Sequence, residues 1–172
     1  MKQFFKKIIS NDFYKKNSEQ NKTVLYSENS DQPYYYCEEF GLKGKRKGTD
    51  LLTRFSGLEL LCKESICKNS SLLDLGCAEG LIAREFYKYG VKTISGFDLQ
   101  TISIQYAKKI FADLEGEFIF RQGNLSDWKT FETQNSDVLK SPYDIVLFLG
   151  VYHHLLRQSG ETAANTALQG AL

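Results

Sequence analysis

Residues 71–80 read SLLDLGCAEG. An apolar run carries an aspartate, Asp74, close to its end, and two glycines then bracket Cys77, Ala78 and Glu79. A short apolar run stopped by glycine predicts a buried strand and a sharp turn. Gly76 lets the backbone turn at the strand end. Gly80 lets the chain pass close to a ligand, or pack tightly, where a helix begins. An acid at the tip of a buried strand is costly unless something positive meets it.

The pattern continues downstream. LIAREFYKYG (81–90) predicts a helix closed by Gly90, and KTISGFD (92–98) a second strand. TISIQYAKKIFADLEG (101–116) predicts a second helix, with Gly116 past its end, and EFIFRQG (117–123) a third strand. NLSDWKTF (124–131) supplies a loop and a short helix. YDIVLFLG (143–150) is apolar on both faces, as a central parallel strand is. The segment from His153 onward predicts one final helix. Strand and helix in alternation define an α/β fold, a Rossmann-like three-layer α/β/α sandwich with a mainly parallel sheet.

Upstream, residues 1–33 are polar and read as an N-terminal extension; residues 34–172 form the domain. Phe4, Phe5, Ile8 and Ile9 can make one face of a short docked helix. QPYYYCEEF (32–40) and GLKGKRKGTD (41–50) read as irregular, lid-like segments. Thr49 or Asp50 can cap a helix through LLTRFSGLELLCK, where Leu51, Leu52, Phe55, Leu58, Leu61 and Cys62 recur at helical spacing.

The chain has 172 residues and a formal net charge of +1, so no global field demands a polyanionic partner. Basic residues concentrate upstream: residues 1–54 hold 11 Lys/Arg against 7 Asp/Glu. The four cysteines show no C-x-x-C spacing and the two histidines form one dipeptide, which gives no metal site. No apolar stretch approaches the roughly 20 residues of a membrane span, and Lys6 and Lys7 interrupt the only signal-like run. A reduced cytoplasmic setting is the expectation.

Ligands of such sheets bind beyond the carboxyl ends of the strands, where strand order reverses. A dinucleotide turn calls for G-x-G-x-x-G, whereas this one is Gly-Cys-Ala-Glu-Gly. A carboxylate at Asp74 repels phosphate and suits an ammonium group. Asp98, at the end of the second strand, is placed to accept hydrogen bonds from ribose hydroxyls. A ligand with a cationic amino-acid end, a ribose and no phosphate satisfies both acids, and S-adenosylmethionine is that ligand. A nicotinamide oxidoreductase fits neither the glycines nor Asp74.

LLDLGCAEG, ISGFDLQ, RQGNLSDW and YDIVLFLGVYHHL, in this order, resemble successive motifs of the class I S-adenosylmethionine-dependent methyltransferases. The resemblance covers about residues 41–156. It implies a methyltransferase whose cofactor is held by Asp74, Gly76, Cys77, Ala78 and Gly80, by Asp98 and Leu99, by Asn124 and Leu125 beside the adenine, and by Leu149 on the methyl-donor side. The family often has an aspartate where Asn124 stands; the asparagine oxygen can still accept from an adenine amino group. GKRKGTDLLTRF together with FLGVYHHL is similar to a subgroup that modifies transfer RNA, sugars or small molecules. On that basis His153 is the candidate base, and Tyr152, His154, Lys45 and Arg46 are candidate acceptor contacts.

Other readings stand beside these. Cys77 is a small apolar filler, Glu79 an acid in the first turn of a helix, and Trp128 packing. Tyr34, Tyr35 and Tyr36 either cover the cofactor or seal a core edge. Methyl transfer to a good nucleophile needs only proximity and alignment, without a base. The family's sheet continues with three more strands, two of them a hairpin, whereas this sequence stops after one helix. The fourth strand is therefore expected to be an open, apolar edge and a candidate homodimer contact. The alternative function is a shortened, non-catalytic cofactor-binding or partner domain.

Overall fold

The computed structural model describes residues 8–9, 32–46, 53–63, 67–139 and 142–171. Five strands form one parallel sheet: β1 (Ile8–Ile9), β4 (Ser71–Leu75), β5 (Thr93–Asp98), β6 (Glu117–Gln122) and β7 (Ile145–Leu147), in the spatial order β1-β7-β4-β5-β6. A separate antiparallel pair, β2 (Tyr36–Cys37) and β3 (Leu42–Lys43), flanks a single 3-10 turn at Glu38–Phe40. The helices are α1 (Glu59–Lys63), α2 (Leu81–Lys88), α3 (Thr101–Phe111), α4 (Trp128–Gln134), α5 (Ser136–Leu139) and α6 (Tyr152–Gly170).

Period-two alternation sends neighbouring strand residues to opposite faces. Leu72, Ile94, Phe120, Ile145 and Leu147 face one core, which α2 and α3 cover with Leu81, Ile82, Phe86, Ile104 and Phe111. Leu73, Leu75, Phe97, Val146 and Phe148 face the other, covered by Trp128, Phe131, Leu155, Ala164 and Ala167 of α4 and α6. The sheet is thus buried on both sides in three layers, the expected Rossmann-like arrangement. Strand order reverses between β4 and β7, so the crevice opens at the carboxyl end of β4.

Several local expectations change. β7 is not an open edge, because Ile8 pairs with Val146 and Ile9 with Leu147 in parallel register. Ile8 and Ile9 are strand rather than helix, and they belong to the sheet rather than to a detached extension. Phe4 and Phe5 lie outside the described residues, as do Lys47, Thr49, Asp50, Leu51 and Leu52. The single helix expected before the first strand is broken: residues 53–55 are helical, Gly57 takes φ +90°, and α1 starts only at Glu59. The final helix bends where Gly160 takes φ 83° and ψ 173°. Trp128 is packing, with its ring 5.2 Å from that of Phe131. Cys62 and Cys67 are joined in a disulfide, a departure from the all-reduced expectation, while Cys37 and Cys77 are free. No helix among the described residues is long and apolar enough to cross a membrane.

An unpaired strand edge templates association. Deleting residues 1–10 exposes β7 and is expected to raise the weight-average mass with concentration in sedimentation analysis, relative to the full chain. A deletion variant that sediments as the full chain does would show that β1 does not protect this edge.

Candidate active site

The crevice lies where the sheet topology predicts. Asp74, Gly76, Cys77 and Ala78 follow from β4, Asp98 and Leu99 from β5, Asn124 and Leu125 from β6, and Leu149 from β7; all of them line one cavity. Nine of the ten cofactor positions expected from sequence therefore converge. The exception is Gly80, whose Cα faces Ala107, Phe111 and Phe120 and serves packing.

The turn itself is tightly wound. Gly76, Ala78 and Gly80 all have positive φ, at 86°, 47° and 72°. A Cβ on Gly76 would overlap the Val151 side chain, so only glycine lets the loop after β7 close over the strand end. The amides of Gly76 and Cys77 both donate to the Phe97 carbonyl, at 2.7 and 2.9 Å, which ties the turn to β5. Ala78 in the left-handed region costs roughly 1 kcal/mol. Its N–H is held by Asp98 Oδ2 at 2.9 Å.

The two acids differ. Asp98 is braced, since Oδ1 also accepts from the Gln100 amide at 2.9 Å. Burial raises its carboxyl above the usual range, and the hydrogen bonds from Gln100, Ala78 and Leu99 pull it back. Asp74 is only 3% exposed. It has no hydrogen-bond donor among the described residues. Burial first, and then the Asp98 charge, push its carboxyl up to about 7. A buried acid in this state is stabilised by any cation that enters.

Glu79 departs from the sequence reading. It precedes α2, is fully buried, and is not a solvated helix acid. Its carboxylate accepts from the Tyr34 amide at 2.6 Å, the Tyr35 amide at 3.2 Å and the Ser103 hydroxyl at 2.9 Å. Burial pushes its carboxyl up, and these donors oppose the shift. Glu79 thereby clamps the segment upstream of β2 over the turn. No local signal in the sequence marks this, because the amides lie 44 and 45 residues away.

That segment supplies part of the site that the sequence left open. Tyr34 and Tyr35 line the cavity, together with Arg54, Gln100, Ser103, Val151 and Gln158, whereas Tyr36 does not and is 40% exposed. Arg54 donates to the Tyr35 hydroxyl at 3.0 Å and to the Tyr34 hydroxyl at 3.3 Å. Arg46 lies over the Tyr34 ring, 4.7 Å from its centroid.

The two histidines are placed differently. His154 lines the cavity, while His153 is exposed beside it, its ring 3.9 Å from that of His154. Burial, then His153, Arg157, Arg46 and Arg54, push His154 down to about 4. Burial and the same arginines lower His153 as well. Tyr152 turns away from the cavity and donates to Asn165 Oδ1 at 2.7 Å. Lys45 is exposed and does not line the cavity. Among the described residues no cluster of His, Cys, Asp and Glu is suited to a metal ion.

With this geometry in place, the comparisons are consistent. A family model described as a methyltransferase domain matches residues 40–166. The chain belongs to that family, the class I S-adenosylmethionine-dependent methyltransferases. The crystal structure of the bifunctional kinase-methyltransferase WbdD is similar at 19% identity and a TM-score of 0.59, over 83% of this chain and 31% of that one. A monomeric form of WbdD gives 18% identity and a TM-score of 0.60, over 83% and 34%. Both show the fold. The chain spans about a third of the length of these structures. No functionally curated protein matches the sequence.

The clamp makes a stability prediction. Glu79→Gln puts an amide donor against backbone donors and is expected to cost about 2–3 kcal/mol in urea unfolding. A loss below about 0.5 kcal/mol would show that the clamp carries little.

Proposed function

We propose that the chain binds S-adenosylmethionine in this crevice and transfers its methyl group to an acceptor that enters between Tyr34 and α6. One observation carries the reading: a buried acid, Asp74, and a half-buried one, Asp98, stand at the ends of adjacent strands, and Asp74 lacks any donor among the described residues. The fit is chemical. A ligand ammonium would satisfy Asp74, ribose hydroxyls would find the remaining lone pairs of Asp98, and Asn124 and Leu125 would border the adenine.

When bound, the cofactor supplies a sulfonium-activated methyl group; the acceptor's lone pair forms the new bond to carbon as the carbon–sulfur bond breaks and its electron pair stays on sulfur. The protein's part is alignment and exclusion of water. The Gly76 turn and Leu149 shape the floor, and Tyr34 and Tyr35 shape the wall. His154 is neutral at physiological pH, so it accepts a hydrogen bond from an acceptor hydroxyl or amine and orients its lone pair. Its depressed pKa makes it a weak proton acceptor. The arrangement therefore suits an acceptor that is already a good nucleophile, or one whose proton leaves to water.

Calorimetric titration with S-adenosylhomocysteine tests the reading. Micromolar binding is expected, weakened on the order of 100-fold in Asp98→Ala, where two ribose hydrogen bonds are lost. A folded chain that binds neither S-adenosylhomocysteine nor S-adenosylmethionine would overturn it.

A pH dependence follows from Asp74. Its folded pKa is raised, so in the ligand-free chain Asp74 contributes stability at low pH that is lost as pH rises through about 7. The cation binds the ionised form and must expel the proton below that pH. Affinity for S-adenosylhomocysteine should thus be on the order of tenfold weaker at pH 6 than at pH 7.5, and Asp74→Asn should flatten the difference. A flat profile in the wild-type chain would contradict it.

A further inference from the structure

The cavity lining carries both signs of charge. Asp74 and Asp98 line it beside the Gly76 turn. Arg54 and His154 line it as well. Arg46 and Arg54 both lie over the Tyr34 ring, 4.7 and 5.7 Å from its centroid. Arg54 and His153 approach Gly150 together: a Cβ on that glycine would be 3.8 Å from the guanidinium and 4.0 Å from the imidazole. Arg157 follows His153 by one turn of α6, and its charge acts on both histidines.

These arginines are not neutralised within the described residues. The ion pairs found there are Arg84–Glu39, Lys88–Glu85 and Arg121–Asp137, and none involves Arg46, Arg54 or Arg157. Arg54 spends two donors on tyrosine hydroxyls. The Tyr35 hydroxyl remains uncharged, since burial pushes it up to about 12. The acids are out of reach as well, since the charge acting on Asp74 is that of Asp98 and not of an arginine. Arg54 lines the cavity and Arg46 shares the Tyr34 ring with it; paired guanidinium groups with donors to spare match an oxyanion in charge and in fork geometry. A local group of arginines in a chain of net charge +1 suits a single anionic group better than an extended polyanion.

We infer that the methyl acceptor carries an oxyanion, a phosphate or a carboxylate, which Arg54, Arg46 and Arg157 hold at the cavity mouth beside His154. This deepens the methyltransferase reading and rests on it. The oxyanion anchors the acceptor so that its nucleophilic atom points into the cavity.

The test uses the full chain and two simple probes, inorganic phosphate and acetate, titrated separately at constant ionic strength. His153 and His154 are the chain's only histidines, so their ring resonances report on the mouth. Saturable shifts at millimolar concentration are expected for at least one probe. Phosphate as the tighter ligand assigns a phosphorylated acceptor; acetate assigns a carboxylate. Arg46→Gln and Arg157→Gln should each weaken binding by about fivefold while S-adenosylhomocysteine binds as in the wild type, which also shows that the variants fold. Non-saturable shifts, or affinities unchanged in both variants, would overturn the inference. So would an Arg54→Gln variant that loses S-adenosylhomocysteine and leaves oxyanion binding intact, because Arg54 would then hold the cofactor's carboxylate. Oxyanion binding without any cofactor binding would sink the methyltransferase reading instead, and leave an anion site standing.

Discussion

A carboxylate with no hydrogen-bond donor among the described residues, at the tip of a buried strand, is the constraint on which the rest of this site depends. Asp74 sits between β5 and β7 in the sheet and is held by its register, opposite Gly96 and Leu147. Burial raises its pKa, and a neighbouring acid raises it further. Left alone, such a group is a liability to the fold. The arrangement makes sense as half of an interaction whose other half is a cationic ligand. The wound turn from Gly76 to Gly80, the bracing of Asp98 and the opening at the strand-order reversal all leave room for it.

The second acid of the turn does opposite work. Glu79 is as buried as Asp74 but fully satisfied, and its partners are backbone amides of a distant segment. One turn thus presents an unmet charge to the cavity and uses a met charge to fasten the wall that holds Tyr34 and Tyr35. Stability and function share the seven residues 74–80, so a substitution there reports on both. The polarity of the cavity extends the same logic. Acids and an arginine line the same cavity, so it offers partners to both an ammonium and an oxyanion.

Much of this was legible in the sequence because it is local. Alternation placed β4 to β7, and the glycine spacing with its paired acids marked the crevice. What was missed depends on distance or on small rotations. Ile8–Ile9 is too short to register as a strand inside a polar stretch, so β7 was read as an open edge. Glu79 has neighbours that only folding brings near. His153 and His154 differ by one step, about 100° around α6, and that rotation decides which ring meets the cavity. Arg54 was hidden inside a helix pattern that Gly57 breaks.

The central claim is that Asp74 awaits a cation. The most direct test is its side-chain carboxyl carbon, followed by NMR through a pH titration with and without saturating S-adenosylhomocysteine. The account predicts a midpoint near 7 in the free chain, falling below the ordinary aspartate value of about 4 when the ligand is bound. A midpoint already near 4 in the free chain, or one that the ligand leaves in place, would contradict it.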